Sequence, residues 1–230
     1  MNVQGYQKLT LLDFPGRTAC TVFTGGCNLR CPFCHNADLV RQPISSPSAE
    51  NDVLQYLSRR QGLIDGVCVT GGEPLLQPDL VEFLKKVKEM GYLVKLDTNG
   101  ALPKRLAEVL ATGLVDYVAM DVKSSPMGYS QAVGCEKIDV TPFEQSIRLL
   151  QRCGVAHEFR TTAVKGIHTV SDFSEIGKWL GNDELYFIQC FKDSGNLLGN
   201  GCQAFSSVET EELLSAAREF LPRASVRGLD

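Results

Sequence analysis

The stretch FTGGCNLRCPFCHN, Phe23–Asn36, holds three cysteines in a C-x3-C-x2-C spacing, Cys27, Cys31 and Cys34, followed at once by His35. It directly follows TACTVFT, an apolar run from Thr18 that reads as a buried strand. A Rossmann fold would carry G-x-G-x-x-G after its first strand; here that position is a cysteine loop. Three thiols are one ligand short of a closed metal site.

Working outward, strand and helix patterns alternate. GVCVT (66–70), YLVKLD (92–97), DYVAMDV (116–122), HEFRTTAV (157–164) and LYFIQCF (185–191) read as strands. Helices are expected over Ala49–Arg60, from Pro78 to Gly91 with Leu80, Phe83, Leu84 and Val87 on one face, and around Leu102–Leu110. Thr141-Pro142-Phe143-Glu144 has the pattern of a capping box opening another, and Ser171–Leu180 and Val208–Leu221 complete the set. Polar segments, RQPISSPS and the glycine-rich DSGNLLGNGC, read as loops. Six alternations predict an α/β fold with right-handed crossovers and helix-covered parallel strands. A closed eightfold barrel usually needs more chain, so the expectation is a partial, open βα barrel of about six parallel strands. One domain, 1–230, is expected, with its core at about 17–191 and a helical extension at about 206–222.

The chain has 230 residues, 43% of them hydrophobic and 22% charged, an ordinary globular composition long enough for a sizeable core. A net charge of −4 gives no reason to expect nucleic acid or an anionic membrane as partner. No apolar run approaches a membrane span, and MNVQGYQKLTLLDFPG lacks the features of a signal peptide, so a cytoplasmic location is expected. In that compartment clustered cysteines point to metal or catalysis rather than disulfides.

Four readings compete for the cysteine loop. Structural zinc would want a second knuckle, and none is present. CPFCH matches a c-type haem attachment, which normally requires export. A ferredoxin cluster wants four cysteines. A [4Fe–4S] cluster on three thiolates leaves one iron open to substrate. Cys20 and Cys68 fall within strands and read as small hydrophobes; Cys135, Cys153, Cys190 and Cys202 form no second motif. His157 and His168 read as structural.

The loop, with TGGEP (70–74), DTNG (97–100), DVK (121–123) and FRTT (159–162) at successive strand ends, resembles the radical S-adenosylmethionine (SAM) superfamily. LLDFPG (11–16), the CHN after the motif and the GIH after FRTT are similar to glycyl-radical-enzyme activases, above all those of anaerobic ribonucleoside-triphosphate reductase. The resemblance implies that Cys27, Cys31 and Cys34 hold the cluster and that Gly71, Gly72 and Glu73 position the methionine end of SAM. It implies that Asp97, Asp121, Lys123 and Arg160 supply polar groups of the SAM pocket, and that Asp13 sits near the entering glycine loop. A monovalent cation beside Asp97 and Asp121 is a further implied cofactor. Flavodoxin or ferredoxin is the expected electron donor. The implied chemistry is reductive cleavage of SAM to methionine and a 5′-deoxyadenosyl radical, which removes hydrogen from a partner's glycine. Pyruvate formate-lyase activase shares this architecture, but its SAM-contacting histidine is unmatched; Gln189 and Cys190 stand there. A small-molecule radical SAM enzyme, a zinc scaffold and an electron carrier are the competing functions.

Overall fold

The computed structural model describes residues 1–41, 49–181, 183–193 and 195–228. Apart from Arg41, the polar connection RQPISSPS lies outside them, as does Ser194 of the glycine-rich loop. The described strands form one eight-stranded sheet in chain order: β1 (Val3–Thr10), β2 (Ala19–Thr24), β3 (Gly66–Gly71), β4 (Leu93–Thr98), β5 (Tyr117–Asp121), β6 (Ala156–Ala163), β7 (Tyr186–Cys190) and β8 (Ser225–Arg227). From β2 to β8 all neighbours are parallel; β1 alone runs antiparallel, beside β2. Each pair of parallel strands is joined by a crossover carrying helix, so one layer of helices covers the outside and the C-terminal strand ends converge on one rim.

The helices are α1 (Ala37–Arg41), α2 (Ala49–Ser58), α3 (Leu80–Glu89), α4 (Pro103–Ala111), α5 (Tyr129–Val133), α6 (Thr141–Cys153), α7 (Val170–Leu180) and α8 (Ser207–Arg218). In α3 the expected face, Leu80, Phe83, Leu84 and Val87, is fully buried. Burying four such side chains contributes roughly 6–12 kcal/mol before entropy is set against it.

The open sheet of parallel strands is as expected; its extent and one helix cap differ. The sheet does not stop at 17–191: β1 and β8 extend it at both edges, so seven parallel strands replace six and the expected helical extension ends in a strand. β1 escapes a pattern reading because Gly5 and two register shifts interrupt it and it buries only Val3 and Thr10; β8 has just three residues. The Thr141 capping box does not form. Val140 is the N-cap, and the Asp139 carboxylate accepts the Thr141 N–H at 2.9 Å. Reciprocal boxes occur instead at Thr169/Asp172 and Ser206/Glu209.

Candidate functional site

The cysteine loop leaves the C-terminal end of β2 and is clamped at three points. Glu73 N–H donates to Gly26 O at 2.8 Å, Arg30 N–H to Val133 O at 3.1 Å, and Gly199 N–H to Pro32 O at 2.8 Å. The approaches are so close that side chains are excluded. A Cβ on Gly72 would lie 1.9 Å from Gly26 O, one on Gly134 2.3 Å from Arg30 O, and one on Gly199 2.6 Å from Pro32 Cβ. Gly71, at φ +114°, is pressed against Thr24. The glycines of TGGEP thus dock the C-terminal end of β3 onto the cysteine loop. The expected glycine-rich loop, through Gly199, is the outer clamp.

Cys27, Cys31 and Cys34 line a cavity of about 920 Å³ that runs into the barrel, near the upper end of the ~300–1,000 Å³ usual for small-molecule sites. The Cys27 Sγ accepts from Leu29 N–H at 3.5 Å and faces Asn99 Nδ2 at 3.7 Å. Burial pushes the Cys31 thiol up to about 12, so metal ligation must expel its proton. Among the described residues, no three His, Cys, Asp or Glu side chains gather as a single metal ion would require. Three thiols lining one cavity suit a multi-iron cluster, whose three protein-held irons are separate points. The donor set therefore fits the cluster.

Below the thiols, inward-facing residues of β4, β5 and β6, with Lys123 just past the end of β5, form a charged belt. Arg160 Nε donates to Asp121 Oδ1 at 2.9 Å, its terminal nitrogen lies 3.3 Å from Asp97 Oδ2, and Lys123 Nζ donates to Asp121 Oδ2 at 2.8 Å. The other Asp97 oxygen accepts from Lys95. Burial alone would raise both carboxyls, but Arg160 with Lys123 or Lys95 holds them below the usual carboxylate range. All four belt residues expected from the sequence, Asp97, Asp121, Lys123 and Arg160, line the cavity.

Glu73 does not line it. Its carboxylate is fully buried behind the TGGEP turn and accepts from Leu75 N–H at 3.1 Å, Thr98 Oγ1 at 2.9 Å and Asn99 N–H at 2.7 Å. From there Glu73 braces β3 to β4 and fixes Asn99, whose side-chain amide lies 3.7 Å from the Cys27 sulfur. Asp13 borders the same cavity from the opposite strand end, accepting from Thr21 Oγ1 at 2.5 Å, with Leu11 and the 87%-exposed Leu12 beside it. His168 is structural, as expected: Val164 N–H donates to its Nδ1 at 3.0 Å, which leaves Nε2 to donate to Lys123 O at 2.8 Å.

Sequence reasoning passed over Asn99, Lys95 and a trio on the barrel floor. There Arg227 of β8 pairs with both oxygens of Glu158 at 2.8 Å, stacks 3.3 Å over the Phe187 ring, and Tyr117 donates to Glu158 at 2.9 Å. The available signals were the alternation of Lys95 with Asp97, and of Glu158 with Arg160, inside otherwise apolar strands.

The family described as the Radical SAM superfamily matches residues 21–180. A protein of Methanocaldococcus jannaschii, named provisionally as a glycyl-radical enzyme activating enzyme, is 30% identical over 99% of this chain and 96% of its own. The pyruvate formate-lyase-activating enzyme of Clostridium pasteurianum is 32% identical over 78% of this chain and 74% of its own. SuiB of Streptococcus suis, solved with S-adenosylmethionine bound, shares the fold at a TM-score of 0.68 and 14% identity; the match covers 88% of this chain and 48%, about half, of SuiB. The chain belongs to the radical SAM superfamily, in the family of glycyl-radical-enzyme activating enzymes. Its cofactors are those of that superfamily, a [4Fe–4S] cluster and SAM.

Proposed function

We propose that this chain installs a glycyl radical on anaerobic ribonucleoside-triphosphate reductase. The observation that carries the reading is the continuity of one cavity from the three thiols, past the charged belt, to the exposed Leu11–Leu12 rim. Such a passage has room for a polypeptide loop beside a small ligand. The choice of partner rests on the LLDFPG segment and the FRTT–GIH pair. Pyruvate formate-lyase is the alternative partner, favoured by the Clostridium relative.

When bound, the cluster and SAM would supply the one-electron chemistry for removing a hydrogen atom from the partner's glycine. The chain's own residues hold and orient. Cys27, Cys31 and Cys34 are the iron ligands. Backbone at Gly71 and Gly72 faces the methionine end. Lys123 and Arg160 present positive charge to its carboxylate, and Asp97 and Asp121 keep them aimed. Asp13 meets the glycine loop. The barrel wall keeps water from the radical's path. We assign the electron to flavodoxin or ferredoxin, the site of action to the cytoplasm, and the whole chain to one domain without nucleic-acid or membrane partners.

The test is anaerobic. Reconstituted, reduced protein should release 5′-deoxyadenosine from SAM, and Cys31→Ala should not. Added separately, each glycyl-radical enzyme is then examined by electron paramagnetic resonance. A glycyl signal on the reductase alone upholds the proposal; a signal on pyruvate formate-lyase alone moves the assignment to that partner. No cleavage from protein with a full, reducible cluster overturns it.

A further inference from the structure

Lys95 has its whole side chain inside the barrel, 1% exposed, and none of the roles above uses it. It lies two residues before Asp97 on β4, so both face inward. Its ammonium donates to Asp97 Oδ1 and sits 3.9 Å from Cys68 Sγ. A buried ammonium is costly unless paired, and Asp97 is the carboxylate that pairs it.

The rest of the belt has no vacancy. Asp97 Oδ2 faces Arg160, Asp121 Oδ1 accepts from Arg160 and Asp121 Oδ2 from Lys123. Every oxygen of the two carboxylates therefore already has a protein cation beside it. Along the row Lys95, Asp97, Arg160, Asp121, Lys123 the signs alternate, three positive against two negative. A monovalent metal ion needs oxygen ligands and would have to enter among three positive groups. The residues do not fit the cation that the family resemblance implied.

We propose that Lys95 is a built-in cation: its ammonium takes the place on the carboxylate pair that a monovalent ion would fill, positions Asp97 toward Arg160, and frees the site from any such ion.

The experiment compares cluster-loaded wild type, Lys95→Met and Lys95→Arg in KCl, NaCl and choline chloride at equal ionic strength. The first readout is the melting temperature without SAM. Wild type and Lys95→Arg should melt at one temperature in all three salts. Lys95→Met, which leaves Asp97 one cation short, should gain about 3 °C or more in K⁺ or Na⁺ over choline. The second readout is SAM cleavage, which K⁺ or Na⁺ should raise severalfold in Lys95→Met and leave unchanged in wild type. A purely structural lysine would not confer a choice among these salts. A saturable gain by wild type in K⁺ or Na⁺, or a folded Lys95→Met no more responsive than wild type, overturns the proposal. If Lys95→Met does not fold, the wild-type salts decide: indifference upholds it and a saturable gain overturns it. The melting readout does not depend on the proposed function. Loss of cleavage in every protein would count against that function and leave the built-in cation to be judged by melting alone.

Discussion

The side-chain amide of Asn99 lies 3.7 Å from the Cys27 sulfur, and it is held there because the Asn99 backbone N–H donates to the buried Glu73 carboxylate at 2.7 Å. A hydrogen bond to a cluster thiolate stabilises the more negative, reduced state. Asn99→Leu should therefore keep its iron but lower the cluster potential by roughly 40 mV, the one-electron equivalent of ~1 kcal/mol. Redox titration checks this; an unchanged potential would deny the contact any electronic role.

Glu73 itself should leave a mark on the pH dependence of stability. Burial raises its carboxyl to about 7, against the pull of its three hydrogen bonds. The folded state then holds the proton more tightly than the unfolded chain does. Stability from this group is full below about pH 4.5 and falls as pH rises to about 7, by roughly 3 kcal/mol in all. Glu73→Gln cannot ionise, so its stability difference from wild type should shift in the variant's favour across that interval. Urea denaturation at pH 5 and pH 7.5 measures it, and parallel pH profiles would contradict it.

Two glycines that end helices, both in the left-handed region, offer a matched pair. Gly134, φ +68°, ends α5 with Arg30 O 2.3 Å from where a Cβ would stand; Gly154, φ +74°, ends α6 with nothing within 4 Å. Gly154→Ala should cost only the backbone penalty, about 1–2 kcal/mol, and keep full iron. Gly134→Ala must also push the Arg30 carbonyl, next to Cys31, and should lose iron as well as stability. Iron content after reconstitution separates the two, and equal loading would show that the Arg30–Val133 clamp does not shape the cluster loop.

At the barrel floor, Arg227→Ala would leave the fully buried Glu158 carboxylate with Tyr117 as its remaining hydrogen-bond donor among the described side chains. The expected cost is about 3 kcal/mol, near the lower end for breaking a buried pair because Arg227 is itself partly exposed. The double variant Glu158→Gln/Arg227→Met should recover most of it. A double-mutant cycle by chemical denaturation tests this; simple additivity would mean that the pair is not coupled.

What the sequence disclosed follows from range. TACTVFT, GVCVT and the Leu80–Val87 face announce themselves locally, because burial on both sides of a strand or along one face of a helix imposes a period. Cys27, Cys31 and Cys34 are legible because ligand spacing is local too. Asp97, Asp121, Lys123 and Arg160 stood out as charges at apolar strand ends, and the barrel brings them together. Non-local pairing hides the rest. Nothing near Glu73 indicates that its carboxylate turns away from the cavity to serve Asn99 on the next strand end. Nothing near Arg227 points to Glu158, nor to the sheet edge that β8 completes. Lys95 is locally only a charge in an apolar strand; that its ammonium stays inside the barrel with Asp97 is decided by the fold.

The clamps on the cysteine loop set a schedule. The thiols emerge early from the ribosome, but Val133 and above all Gly199, which steady Arg30 and Pro32, come much later. At about 5–20 residues per second the loop waits roughly ten to thirty seconds for its last brace. During that interval the three cysteines are exposed without the walls that would hold a cluster. The loop therefore has its complete set of braces only once the chain has been made as far as Gly199.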